Sequence, residues 1–301
     1  MFGLLSIPST LQYPLPVLGA GAILLGFSIG ILTGLFGVGG GFLVVPLLNV
    51  LLGVPYPIAV GSSLFFILGT SAMALPSHIR EGNFEPRAVL YLAAGSILGA
   101  FFGDVVQDFL KYTVAGGNTG IFEEWMHSFF LALLALTVFL LLRPAAGPQG
   151  KEGHRESTPI QRLSIPPYTR LEREGLPMVS IPGLLGIGFL IGILTGLLGV
   201  GGGVVFMPVL LLVIGLRPKL AVGTSLGVVM AASLAGLVKK LLAAQPKVSL
   251  SLTLMLFLGS VLGVRVGIRI FRRIESTGIR KYFVFVILLA MGIVAWDLLT
   301  R

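Results

Sequence analysis

Apolar residues run along this chain in long unbroken stretches, without the polar alternation of a soluble fold. The runs fall at 17–36, 42–54, 58–79, 88–110 and 126–142, then again at 179–198, 204–215, 220–238, 248–268 and 282–299, separated by Gly, Pro or charge. Most approach the length of about 20 residues that a helix needs to cross a bilayer core. Two do not. At about 1.5 Å per residue, 42–54 and 204–215 make about 18–20 Å of helix against a core of about 30 Å. Each is expected to start inside the membrane.

Between the two series, 143–178 holds six prolines and ten Lys, Arg or Glu residues, with no run long enough to span. It is expected to be a solvated linker between a first transmembrane repeat, 1–142, and a second, 179–301. The two repeats match in sequence. Residues 29–46 read IGILTGLFGVGGGFLVVP and residues 191–208 read IGILTGLLGVGGGVVFMP. Aligned without a gap to Leu64 and Leu226, about 20 of roughly 36 positions are identical, too many for apolar bias alone. With a two-residue shift, Gly95-Ser96-Ile97-Leu98-Gly99 meets Gly259-Ser260-Val261-Leu262-Gly263. Internal duplication of this kind is common in secondary transporters.

Composition narrows the class further. The chain has 301 residues, 55% hydrophobic and only 11% charged, with a mean hydropathy of +1.00. A soluble domain carries about 25% charged residues, so lipid is the expected solvent. The absence of cysteine excludes disulfides, thiolate metal sites and thiol nucleophiles. The net charge of +9 suggests nucleic acid only if gathered on a solvated domain, and here it lies in loops. The first charged side chain is Arg80, so no basic n-region of a secretory signal precedes the first run, and the N-terminus is expected to be retained.

Loop charges then bear on orientation. The linker is basic (Arg143, Lys151, Arg155, Arg162, Arg170, Arg173), as is the stretch with Arg269, Arg272, Arg273, Arg280 and Lys281. The first-half counterpart of the latter is acidic, with Asp104, Asp108, Glu123 and Glu124 against Lys111. Since cytoplasmic loops are enriched in Lys and Arg, the halves are expected to be inverted, with a cytoplasmic linker and both termini outside. Lys239, Lys240 and Lys247 are the exception, because this scheme puts them outside.

The most informative element is Gly37-Val38-Gly39-Gly40-Gly41 and its copy Gly199-Val200-Gly201-Gly202-Gly203. Glycine costs a helix about 1 kcal/mol relative to Ala, so four in five residues unwind it. Irregular backbone at membrane depth survives only inside protein or beside a water-filled cavity. Two such breaks approaching from opposite faces are expected to meet near the midplane, where broken-helix transporters bind substrate. Each break precedes a helix, so the N–H groups of about 41–45 and 203–207 favour an anion. Thr33, Thr195, Asn49, Ser62, Ser63, Thr224 and Ser225 are the nearby hydroxyls and amide that can replace hydration. Arg265, inside a span, can pair with an anion or snorkel to the interface, and His78 can relay protons or simply end its helix. Asp104 and Asp297 read as interfacial, and the glycines at 95, 99, 103, 259, 263 and 267 as packing seams.

No soluble-enzyme signature is present. The glycine motif lacks the Lys-Ser/Thr of a P-loop and the strand context of a dinucleotide site, and three scattered histidines offer no metal cluster. No cofactor is expected.

With these residues in place, the chain resembles the TauE/SafE family of membrane permeases, also called the toluene-sulfonate uptake permease family. The resemblance rests on the duplicated segments from Gly34 to Pro46 and from Gly196 to Pro208, the Ala-Val-Gly-Ser/Thr-Ser segments at 59–63 and 221–225, and His78 followed by Gly82. It implies transport of small sulfur-containing anions such as sulfite, sulfonates or sulfoacetate, often by export. In the repeat register Lys240 stands where the first half has His78, so any role of the histidine is confined to one half. The expectation is an all-α polytopic protein of the inner membrane, with two inverted five-segment repeats and broken or re-entrant helices at GVGGG. Its partners would be a small anionic substrate and lipid, not nucleic acid, with monomer and homodimer both left open; the alternatives are an anion channel of the same architecture or a transporter of another small organic anion.

Overall fold

The computed structural model describes residues 15–114, 116, 118–142, 160, 165–171, 178–242 and 248–300. Of the linker 143–178, most therefore lies outside the described residues, as does Lys247. The elements are α1 (Leu15–Phe36), α2 (Gly41–Leu52), α3 (Tyr56–Arg80), α4 (Pro86–Phe109), α5 (Thr119–Leu142), α6 (Ile181–Leu198), α7 (Gly203–Pro208), α8 (Pro218–Leu242), α9 (Leu250–Arg273) and α10 (Ser276–Thr300). A short antiparallel pair, β1 (Tyr168–Thr169) and β2 (Val179–Ser180), leads into α6. π-helical turns at Leu110–Val114 and Val209–Ile214 extend α4 and α7. Eight helices among the described residues are long and apolar enough to cross a membrane, while Gly41–Leu52 and Gly203–Ile214 are shorter. The chain is an all-α, multi-pass membrane protein.

Local chemistry sets the helix boundaries. Pro57, Pro86 and Pro182 fall in the first turns of α3, α4 and α6, where a missing N–H leaves no helical bond broken. Ser180 caps α6 by accepting from the Gly183 N–H at 3.2 Å. Gly53 and Gly215, both left-handed, close the two short helices at equivalent positions.

Glycine seams bind the two halves together. The first helix of each half packs along the fourth helix of the other, α1 on α9 and α6 on α4. On α1, Gly26, Gly30 and Gly34 face Leu256, Ser260 and Val264; in return Gly259, Gly263 and Gly267 face Ile23, Phe27 and Ile31. The other seam repeats this, Gly95, Gly99 and Gly103 facing Leu185, Phe189 and Ile193. The backbones touch: a Cβ at Gly26 would lie 1.9 Å from the Leu256 carbonyl oxygen, and one at Gly99 2.1 Å from that of Phe189. Small residues allow this approach, which in lipid supplies the dispersion contact that holds helices together.

Helix directions follow from these pairings. Residue numbers rise together along α1 and α9, and along α4 and α6, so each pair is parallel. Ser62 meets Ser249 and His78 meets Phe271, so α3 runs with α9. Glu85 meets Thr224 and Asp104 meets Lys240, so α4 runs with α8. Gly236 meets Leu64 whereas Gly223 meets His78, so α3 and α8 are antiparallel. Arg280 reaches the Leu141 carbonyl and His127 faces Asp297, so α5 and α10 are antiparallel too. Equivalent helices of the two halves thus run in opposite senses. α3 and α8 are the most enclosed spans, and α10 turns Phe285, Trp296 and Leu299 outward to its apolar surroundings.

Candidate functional site: the paired glycine turns

After α1 the chain reverses. Gly37, Gly39 and Gly40 have φ of 68°, 70° and 68°, and Gly199, Gly201 and Gly202 have 67°, 69° and 69°. Only glycine adopts this left-handed region without strain, so the sequence of the motif is the geometry of the turn. A Cβ at Gly40 would lie 2.2 Å from Ile29 Cγ2 and 2.7 Å from Thr33 Oγ1, and Leu52 returns beside Gly21. α2 therefore folds back along α1 as a hairpin whose tip is the glycine turn. The second copy lays Gly202 over Ile191 and Thr195 in the same way.

The two tips meet. A Cβ at Gly203 would lie 2.1 Å from the Val38 carbonyl oxygen, and one at Gly41 2.8 Å from that of Val200. They touch halfway along the two most enclosed spans: Gly39 faces Ile67 and Ser71 of α3 and Val229 of α8, while Gly201 faces Ile67 and Ser233 of α8. The Ile67 side chain reaches Gly39, Gly41 and Gly201, wedging between the turns. Every residue of both GVGGG segments is buried.

Serines hold each turn from the opposite half. Ser63 Oγ lies 2.7 Å from the Gly199 carbonyl oxygen and 2.7 Å from that of Val60; Ser225 Oγ lies 2.7 Å from Gly37 O and 2.8 Å from Val222 O. Each hydroxyl donates its single proton within this pair of carbonyls, and the result is a reciprocal clamp. These two expected site residues position the turns.

Other candidates are placed differently. Thr33 and Thr195 sit under the turns, but their hydroxyls donate to Ile29 O and Ile191 O, both at 3.0 Å. Ser62 accepts from the Ser249 N–H (3.0 Å) and Thr224 from the Glu85 N–H (3.1 Å), fastening the starts of α9 and α4. Asn49 is at the far end of α2, where its Nδ2 donates to Val54 O at 2.9 Å. Arg265 is exposed on the outer face of α9, because its helical phase turns it from the buried Gly263 and Val264. His78, 1% exposed, lies edge-on to Phe271 with ring centroids 4.6 Å apart and packs beside Gly34 and Gly223, before the start of the first turn. Asn49 and Arg265 are thus not brought to the glycine tips, and His78 is not among the side chains that face Gly39–Gly41 or Gly201–Gly203.

The backbone donors are fewer than the sequence suggests. The N–H groups of Leu43 and Val205 donate to Gly40 O (3.1 Å) and Gly202 O (3.0 Å), and Phe206 donates to Gly202 O at 2.9 Å. Gly41, Phe42, Gly203 and Val204 remain as the first N–H groups of their helices, with no side-chain cap on either. Sequence reasoning also missed two residues. Ser71 and Ser233 are each 0% exposed, and neither hydroxyl has a hydrogen-bond partner. The signal was available: carrying the register that pairs Ser63 with Ser225 two helical turns further pairs Ser71 with Ser233.

Charged groups cluster elsewhere. Lys240, 2% exposed, pairs with Asp104 and donates to Gln107 Oε1 at 2.5 Å. Lys239 lies 3.3 Å from Asp104, and Gln107 Nε2 donates to Leu197 O at 2.7 Å. Lys239, Lys240 and Asp104 therefore form one ionic group between α4 and α8, two ammonium groups sharing a single carboxylate.

The bundle of membrane-spanning helices brings two irregular turns together at mid-span, an arrangement that broken-helix membrane transporters share. The family model described as "Sulfite exporter TauE/SafE" matches residues 20–294, and the chain belongs to that family. It is similar to the probable membrane transporter protein MJ0441 of Methanocaldococcus jannaschii, 27% identical over 271 residues, covering 86% of this chain and 88% of that protein. The probable membrane transporter proteins YunE and YdhB of Bacillus subtilis are each 27% identical, over 261 residues (84% and 89% of the two chains) and 219 residues (71% and 75%) respectively. No solved structure matches the chain.

Proposed function

We propose that the protein carries small sulfur-containing anions, such as sulfite, sulfonates or sulfoacetate, by alternating access, and that its physiological direction is export. The observation that carries this reading is the meeting of the two glycine turns at mid-span, each opening a helix whose first N–H groups have no cap. Helix N-termini favour anions through several donors and a partial positive charge. The enclosed, wedged centre supports a carrier over an open pore, since a channel needs a continuous path. Rocking of the oppositely running halves would expose the turns to one side and then the other.

Sidedness follows from charge. Arg80, Arg217, Lys219, Arg269, Arg272, Arg273, Arg280 and Lys281 lie toward the end of the bundle from which the linker leaves. That end is the cytoplasmic one by the Lys/Arg rule, with both termini opposite, in the inner membrane. The test is uptake of labelled methanesulfonate and sulfite by liposomes holding the purified protein. Saturable flux accelerated by unlabelled anion on the far side is expected. Currents at channel rates would overturn the carrier, and absence of flux for every anion would overturn the reading itself.

A further inference from the structure

We infer that the hydroxyls of Ser71 and Ser233 are the side-chain ligands of the transported anion, and that the site they complete selects monoanions over dianions. The inference rests on the anion-carrier reading above and names its chemistry. Every other hydroxyl at the centre is committed: Ser63 and Ser225 to the opposite turn, Thr33 and Thr195 to their own helices, Thr70 to Phe66 O at 3.0 Å. Ser71 and Ser233 alone, among the described hydroxyls at the turns, are wholly buried and have no partner. Each faces its own turn, with Ser71 Oγ 3.3 Å from where a Cβ on Gly39 would be and Ser233 Oγ 3.4 Å from one on Gly201. A hydroxyl buried without a partner is destabilising, and two in matching register on antiparallel helices point to one shared acceptor between them.

Charge preference follows from the donors. The residues at the tips, Gly39, Gly201, Ile67, Val229, Ser71 and Ser233, are all uncharged. Positive potential comes from the helices Gly41–Leu52 and Gly203–Ile214, each offering roughly half a unit charge at its N-terminus, together about one unit. One negative charge is balanced by this, and two are not. The desolvation cost of an ion grows with the square of its charge, so a dianion meets a fourfold cost with no further compensation. The substrates named above thus narrow to singly charged sulfonates and hydrogensulfite; sulfate, doubly charged sulfite and sulfoacetate, whose carboxylate and sulfonate carry two charges, do not fit.

The experiment follows thermal unfolding of the detergent-purified full chain in sodium methanesulfonate and in sodium sulfate at equal ionic strength. Wild type should be stabilised in a saturable way by methanesulfonate and not by sulfate. Ser71→Ala and Ser233→Ala should each unfold no earlier than wild type without anion, since an unpaired hydroxyl is removed, yet need about tenfold more methanesulfonate for half the shift. Variants that respond like wild type, or that fail to fold, overturn the serine assignment and leave the glycine turns standing as the site. Equal stabilisation by sulfate overturns the monoanion preference. Absence of any anion response in wild type overturns the anion-carrier reading, and this inference with it.

Discussion

His78 and Lys240 hold the same position in the repeat, in the last turns of α3 and α8, and their surroundings differ in kind. Lys240 is fixed by Asp104 and Gln107 of α4, and Gln107 reaches on to the Leu197 carbonyl at the end of α6. His78 packs edge-on to Phe271 of α9 and lies against the Gly34 backbone near the end of α1. In the shifted register of the fourth helices, Ile268 stands opposite Asp104 and Phe271 opposite Gln107. One half thus uses a directional, charged lock where the other uses a non-directional apolar contact. The glycine tips show the opposite: their residues and hydrogen bonds match pair by pair, Ser63 to Gly199 and Ser225 to Gly37. Symmetry is kept where the two halves build one object, and lapses at two separate contacts between them, α8 on α4 and α3 on α9.

The largest expected effect breaks the charged lock. Asp104→Leu leaves the Lys240 ammonium buried without its carboxylate and should cost about 3–5 kcal/mol in a denaturation assay, whereas Asp104→Leu with Lys240→Met should recover most of it. At the tips, Gly40→Leu and Gly202→Leu force a side chain into the left-handed region and into Ile29 or Thr195, with at least about 1–2 kcal/mol of backbone strain each. Both should abolish anion binding and flux to the same extent, leaving helical protein detectable by circular dichroism; a large difference between them would break the equivalence of the halves. Ser63→Ala and Ser225→Ala each leave a carbonyl of the opposite turn unpaired, and should destabilise by about 1–2 kcal/mol, by matching amounts. The smallest effect is expected at His78: His78→Leu keeps an apolar contact with Phe271 and should change stability by less than about 1 kcal/mol, with anion affinity unchanged by titration.

Much of the architecture is legible in the sequence because lipid imposes long apolar runs and because the duplication is gap-free through the glycine motif. The two short helices, the unwound turns and the glycine seams all follow from residue type and spacing. Side-chain roles are less legible, since they depend on helix phase and on distant partners. Asn49 looks available until α2 is seen to end beside Val54, and Arg265 looks central until its helical phase is known. Ser62 and Thr224 sit beside Ser63 and Ser225 in sequence, yet one helical step turns them toward the starts of α9 and α4. The pairing of Lys240 with Asp104 joins residues from different halves, so loop counting assigned both to the membrane surface. Ser71 and Ser233 carry no marker in an apolar span; only the repeat register connects them.

The central claim is that the two glycine turns form a single anion site. Calorimetric titration of the purified protein with methanesulfonate tests it most directly, through the number of anions bound per chain. One anion per chain, lost in Gly40→Leu and in Gly202→Leu alike, is the expected result; two anions per chain, or one that survives in either variant, would contradict it.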